Sequence, residues 1–155
     1  MLNESLLDDI PEMLAADPGM MLAATASAGA QIRRSLTGLD RAAIAATAAA
    51  GRPRAVVVTG MGGSGISGQI LEAISNTNSP IPVVSSRGYG LPAWVGTDDL
   101  VICLSCSGGT EETIAAAQEA ARRGCRLAAI STPGSKLAEF TESVRGAQLI
   151  GIDAQ

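Results

Sequence analysis

Histidine is absent from this sequence. The commonest general acid/base at neutral pH and the commonest metal ligand are therefore missing, and no metal site is expected. Aromatic residues are nearly absent too, with one Trp, one Tyr and one Phe in 155 residues. The core must then be aliphatic, built from Val, Ile, Leu and Ala. Cysteine is scarce, and the three present form no disulfide-like framework, which points to a reduced, cytoplasmic setting. Basic residues are outnumbered, Lys136 is the only lysine, and the net charge is −4. With no basic stripe, nucleic acid is excluded as a partner. No apolar run approaches the ~18 residues needed to span a bilayer. The acidic start (Glu4, Asp8, Asp9) is unlike a signal peptide, so no membrane association is expected.

What is present changes in texture along the chain. Residues 1–50 read as an N-terminal helical segment. Ile10, Met13 and Leu14 recur at helical spacing, Pro18-Gly19 interrupts, and a second run covers 20–36. Asp40 is positioned to cap a third, Ala-rich helix that Gly51-Arg52-Pro53 ends. Residues 51–155 read as one α/β domain. Short apolar runs at 55–59, 82–85, 99–104, 126–131 and 147–152 are strand candidates. They alternate with helices predicted over 65–75, 110–123 and 135–143. This alternation implies a three-layer α-β-α sandwich around a five-stranded parallel sheet of flavodoxin-like type. Ligands in such folds bind at the carboxyl ends of the strands. The sequence stops directly after the fifth strand candidate and reads as truncated at its C-terminus.

After the first strand comes "GMGGSGISG" (Gly60–Gly68). Glycines allow a sharp turn and a close backbone approach, and the helix N-terminus beyond suits a phosphate. A mononucleotide P-loop needs lysine where Ile66 stands, so that class is excluded. A dinucleotide fits the Gly60-x-Gly62-x-x-Gly65 spacing. That class, however, wants an acid at the end of the second strand, where this chain has Arg87, which leaves only NADP. A small phosphorylated metabolite is the third class, and Ser64 and Ser67 supply hydroxyls for it. The plainer reading of Ser64 is a helix cap.

"LSCSGGTEET" (Leu104–Thr113) follows the third strand. One hydroxyl before a helix is a cap. Ser105, Ser107 and Thr110 around Gly108-Gly109 make an anion cradle instead. Both loops follow strands of a parallel sheet and share one edge, so Ser64, Ser105, Ser107 and Thr110 converge, with the backbone of Gly62, Gly63, Gly108 and Gly109 beside them. Glu111 and Glu112 suit the helix dipole yet repel a dianion. They serve as a cap or meet sugar hydroxyls. Cys103 and Cys106 have C-x-x-C spacing, but Cys103 lies in a strand, where side chains three apart face opposite ways, so a disulfide between them would need a bend. Since free cysteine is commonly buried, core packing is expected of them, and of Cys125.

These elements, together with "RGYGLP" (Arg87–Pro92) after the second strand, resemble the SIS (sugar isomerase) domain. Within it they are most similar to the N-terminal domain of bifunctional phosphoglucose/phosphomannose isomerases. The resemblance implies that Ser64, Ser105, Ser107 and Thr110 hold the phosphate of a hexose 6-phosphate substrate, with no cofactor. It implies isomerisation between aldose and ketose through a cis-enediol by a glutamate, a histidine and an arginine. Those groups are expected beyond Gln155, in the second of two SIS domains, with the complete protein a homodimer. Where the family has Tyr-Ser-Gly-Asn, this chain has Cys106-Ser107-Gly108-Gly109, so the asparagine's polar contact is missing. A non-catalytic SIS module that senses a sugar phosphate, and an NADP-binding domain, are the alternatives.

Overall fold

The structure is a computed structural model that describes residues 8–152. The start of the predicted N-terminal helical segment (residues 1–7) and residues 153–155 lie outside the described residues. The chain divides into two compact units, Met1–Gly38 and Leu39–Gln155.

The first unit holds α1 (Ile10–Ala15) and α2 (Met21–Thr37), neither of which buries a residue. Asp9 starts α1 by accepting a hydrogen bond from the Glu12 N–H at 3.1 Å, the capping role short acidic side chains favour. Pro18-Gly19 falls between the two helices, as the sequence predicts.

The second unit begins with α3 (Arg41–Ala49). Asp40 caps it as predicted, accepting from the Ala43 N–H at 2.9 Å. There follow β1 (Val56–Gly60), α4 (Gly62–Asn78), β2 (Val83–Ser86), β3 (Leu100–Ser105), α5 (Glu111–Arg122), β4 (Arg126–Ser131), α6 (Lys136–Ser143) and β5 (Gln148–Gly151). Every predicted element of the α/β part is present, most with ends moved by one or two residues. The exception is α4, which starts at Gly62 and not Gly65, and runs on to Asn78.

All strand pairs are parallel, in the order β2-β1-β3-β4-β5. The chain steps outward from β1 to β2, then returns to place β3 on the other side of β1. The β1/β3 boundary is therefore the topological switch point, the place where open α/β sheets bind ligands. Helices cover both faces. Val57, Val101, Cys103, Leu127 and Ala129 pack with Ala117 and Ala120 of α5 and Leu137 of α6. Val56, Val58 and Val83 form a second cluster, with α4 beside it, and Leu100, Ile102 and Leu104 are only partly buried there. Alternation along β3 is accordingly buried on its odd residues and half-buried on its even ones. Each fully buried Val or Leu contributes about 1.5–3 kcal/mol, and small alanines let α5 sit close to the sheet.

Arginines fix the amino edge of the sheet. Arg54 makes a two-point ion pair with buried Asp99, at 3.0 and 2.6 Å. It thereby ties the residues before β1 to those before β3. Asp99 also accepts from the Gly96 N–H at 2.8 Å. This pair holds the Asp99 carboxyl below the usual carboxylate range, with the Arg54 hydrogen bond as the main cause, opposed by burial. Arg126 donates to the Ala50 and Gly51 carbonyls at 3.0 and 2.6 Å, anchoring the end of α3.

Candidate functional site

Two helices point their N-termini at the carboxyl edge beside the switch point, and neither is capped. The residue before α4 is Met61, which has no polar side chain to offer, and no side-chain cap bond forms. The residue before α5 is Thr110, and its hydroxyl makes no cap bond either. The other two helices of this unit, α3 and α6, are capped by Asp40 and Ser135. A helix start leaves backbone N–H groups without intrahelical partners and carries positive partial charge. Two such starts left open beside each other form an anion-attracting position.

Ser64 is not the helix cap that its sequence position suggests. With α4 starting at Gly62, Ser64 is the third helical residue, and its side chain lines a cleft. That cleft, of about 820 Å³, is also lined by Gly63, Ser67, Ser105, Ser107 and Thr110. All four hydroxyl residues singled out from the sequence, Ser64, Ser105, Ser107 and Thr110, are thus on one wall. Of the four glycines, Gly63 is on that wall, while Gly62, Gly108 and Gly109 shape the backbone behind it. No arginine or lysine lines the cleft among the described residues.

The β3–α5 turn is held by its own hydroxyls. Buried Ser105 Oγ accepts from the Gly108 N–H at 3.1 Å and shares a proton with Thr110 Oγ1 at 3.0 Å. Two hydroxyls joined by one hydrogen bond keep one O–H free to donate. Ser107 is exposed and accepts weakly from the Gly109 N–H at 3.3 Å. Gly108 sits at φ +62°, and a Cβ there would overlap the Ser135 side chain and come within 2.6 Å of Ser131 Oγ. The β4–α6 connection braces the turn from behind, because Thr132 Oγ1 donates to the Cys106 carbonyl at 2.6 Å and the Leu137 N–H donates to the Gly108 carbonyl at 2.9 Å. Nothing in the sequence pattern signalled this brace.

Several expectations are corrected. Cys103 is buried, and burial pushes its thiol up to about 12; Cys125 is buried as expected. Cys106, however, is exposed and lines the cleft. Core packing was expected because free cysteines are commonly buried, but β3 ends at Ser105 and Cys106 stands in the turn beyond it. Arg87 does not line the cleft. Its guanidinium packs on α4, with Nε 2.9 Å from where a Cβ on Gly65 would stand and Nη2 donating to Gln69 Oε1 at 3.1 Å. Gly65 is therefore required by this close approach and by the Gly60 carbonyl, 2.7 Å from the same point. Neither Glu111 nor Glu112 caps α5. Glu111 instead accepts a long hydrogen bond from the Tyr89 hydroxyl, at 3.5 Å.

The opposite wall was not foreseen. Val58, Leu71, Ile102, Leu104, Ile130 and Ile152 make it apolar. Ile102, Leu104 and Ile130 are half-buried strand residues, Val58 is a buried one, Leu71 comes from α4, and Ile152 directly follows β5. The cleft is thus polar where the helices start and aliphatic along the sheet.

Comparison with known proteins agrees with this geometry. The SIS domain family matches residues 52–147. The chain is similar to the bifunctional phosphoglucose/phosphomannose isomerase of Caldicellulosiruptor bescii, 48% identical over 87 residues, which is 56% of this chain and 25% of that protein. It is similar to the enzyme of the same name from Thermoplasma acidophilum, 43% identical over 85 residues, 55% of this chain and 26% of that protein. In these alignments the matched segment is about a quarter of each relative's length. Among solved structures, the sugar isomerase domain of the RpiR transcription factor from Sphaerobacter thermophilus superposes with a TM-score of 0.61 at 25% identity, covering 79% of this chain and 70% of that one. With the match spanning most of its α/β unit, the chain belongs to the SIS domain family.

Proposed function

We propose that this chain is the phosphate-binding SIS domain of a glucose 6-phosphate/mannose 6-phosphate isomerase that interconverts these aldoses with fructose 6-phosphate. The observation that carries the reading is the pair of uncapped helix N-termini, α4 and α5, meeting at one cleft with Ser64, Ser105, Ser107 and Thr110 on its wall. The phosphate oxygens take N–H groups from the first turns of both helices and O–H groups from Ser64, from Ser107 and from the Ser105–Thr110 pair, which has one O–H free. The phosphate is held without a lysine or arginine, by preorganised dipoles. The cleft fixes one end of the substrate so that its carbonyl end is presented outward.

Proton transfer between C1 and C2 needs a base within hydrogen-bond reach. We assign that base, and the group that opens the sugar ring, to a second SIS domain of a longer, homodimeric, cytoplasmic protein. The relatives are about four times the length of the matched segment, which leaves room for such a domain. The domain proposed is residues 51–155, preceded by the helical segment 1–50.

A second reading has its own support. The RpiR domain is covered over 70% of its length, against 25% for the isomerase from C. bescii. A sugar-phosphate sensor needs only the cleft. Calorimetric titration with glucose 6-phosphate, mannose 6-phosphate and NADP tests the ligand class. Saturable hexose phosphate binding, abolished in the Ser105→Ala/Ser107→Ala double variant, is expected. NADP binding without a response to sugar phosphates would sink both readings. Conversion of glucose 6-phosphate to fructose 6-phosphate by the natural full-length gene product then separates enzyme from sensor.

A further inference from the structure

The connection from β2 to β3, residues 87–99, is held at both ends and loose between. Its distal part is clamped by arginines. Arg123 donates to the carbonyls of Pro92, Val95 and Leu91 at 2.8, 3.1 and 3.4 Å, and Arg54 donates to the Trp94 carbonyl at 2.6 Å. At the near end Arg87 is packed on α4. Between these anchors stand Gly88 at φ +92° and Gly90 at φ +78°, with Tyr89 between them. Their left-handed backbone is open to glycine and strained for other residues.

Tyr89 has no packing reason to be there. Phe140 packs against the core and Trp94 lies under Arg54, whereas Tyr89 is 70% exposed. Its one polar partner among the described residues is Glu111. Glu111 directly follows Thr110, whose side chain is on the cleft wall. Glu111 and Tyr89 do not line the cleft itself, so the pair stands next to its Thr110 end, outside the phosphate cradle. Carboxylates at that position oppose a phosphate by repulsion. What a carboxylate accepts is hydroxyl protons, and what an exposed aromatic ring offers is an apolar face with a polar tip. A hexose presents both matching features, C–H groups on one face and hydroxyls at its rim. Glu112, then burial, then Glu111 hold the Tyr89 phenol above its ordinary range.

We propose that Tyr89 and Glu111 form the sugar end of the cleft, Tyr89 riding on a flap between Gly88 and Gly90, and that this pair sets the preference for a hexose phosphate over a bare phosphate. The inference rests on the sugar-phosphate reading above and names the residues that recognise the sugar.

The test compares glucose 6-phosphate with inorganic phosphate by calorimetry on the wild-type chain and on Tyr89→Ala, Tyr89→Phe and Glu111→Gln. Tyr89→Ala is expected to weaken glucose 6-phosphate about 10-fold and to leave phosphate unchanged, with Tyr89→Phe in between. Glu111→Gln is expected to move the two ligands in opposite directions, tightening phosphate and weakening glucose 6-phosphate. Tyr89→Ala binding both ligands as the wild type does overturns the inference while leaving the phosphate cradle intact, and losing both equally overturns it because Tyr89 then makes no distinction between sugar and phosphate. A wild-type chain that binds neither ligand overturns the sugar-phosphate reading, and this inference with it.

Discussion

Replacing Gly108 with alanine tests whether the anion turn is built as described, independently of any ligand. Two costs add at this position. The backbone is left-handed, at φ +62°, which an L side chain occupies at about 1–2 kcal/mol. The new Cβ would also overlap Ser135 and lie 2.6 Å from Ser131 Oγ, and overpacking of this kind costs about 1–3 kcal/mol. Gly108→Ala is thus expected to lose about 2–5 kcal/mol of unfolding free energy, a large share of a typical domain's ~5–15. Gly109→Ala is the control. A Cβ there meets nothing within 4 Å, and its φ is not left-handed, so a change within about 0.5 kcal/mol is expected. Urea denaturation of both variants measures the difference. Adding Ser135→Gly to Gly108→Ala should recover about 1 kcal/mol or more, because it removes the overlapping atoms, while glycine at a helix N-cap costs only a few tenths. Equal stability of the Gly108 and Gly109 variants, or strict additivity with Ser135→Gly, would refute the packing argument.

Ser105→Ala and Ser107→Ala should each weaken glucose 6-phosphate by about 10- to 150-fold, the range for one lost hydrogen bond to a charged group; calorimetry reads this, and only Ser105→Ala should also lower stability, since Ser107 is exposed. The Asp99 carboxyl is lowered in the folded state, so its contribution is complete above the ordinary value of about 3.9 and is lost as pH falls through the folded value beneath it. The urea midpoint should therefore drop below about pH 4, and less steeply in Asp99→Asn; Glu119, also lowered, by Arg122 and Arg123, keeps some slope in the variant, but an unchanged slope would count against the Arg54–Asp99 pair. A thiol reagent should label one cysteine of the native chain quickly and three in urea, because Cys106 alone is exposed, and glucose 6-phosphate should slow that reaction. Rapid labelling of two or more would contradict the burial of Cys103 and Cys125.

The architecture was legible because its signals are local and repeated. Continuous β-branched runs such as Val56-Val57-Val58 mark strands buried on both faces, and the glycine-rich turns after β1 and β3 mark the edge at which the cleft opens. The convergence of the four hydroxyls was legible because each lies at a junction between a strand and the helix after it, and parallel strands put such junctions on one side. Ser64 is in the first turn of α4, Ser105 at the end of β3, and Ser107 and Thr110 in the turn before α5. Three features were not legible, each because it depends on contacts between distant segments. The apolar wall arises from α4 covering only part of the sheet face. The clamp of Arg123 on Leu91, Pro92 and Val95 joins residues about thirty positions apart. Cys106 was misplaced because free cysteines are commonly buried, whereas this one stands in the turn after β3 and is exposed. The start of α4 was missed because Gly62-Gly63 reads as loop by composition, whereas the open helix start needs those glycines in its first turn.

The central claim is that two open helix starts share one phosphate. Its most direct test is a backbone amide resonance titration of the isotope-labelled chain with glucose 6-phosphate. The account predicts that the amides of Gly62, Gly63 and Ser64 shift together with those of Glu111, Glu112 and Thr113, along one saturation curve. Saturable binding that leaves either set unmoved would contradict it.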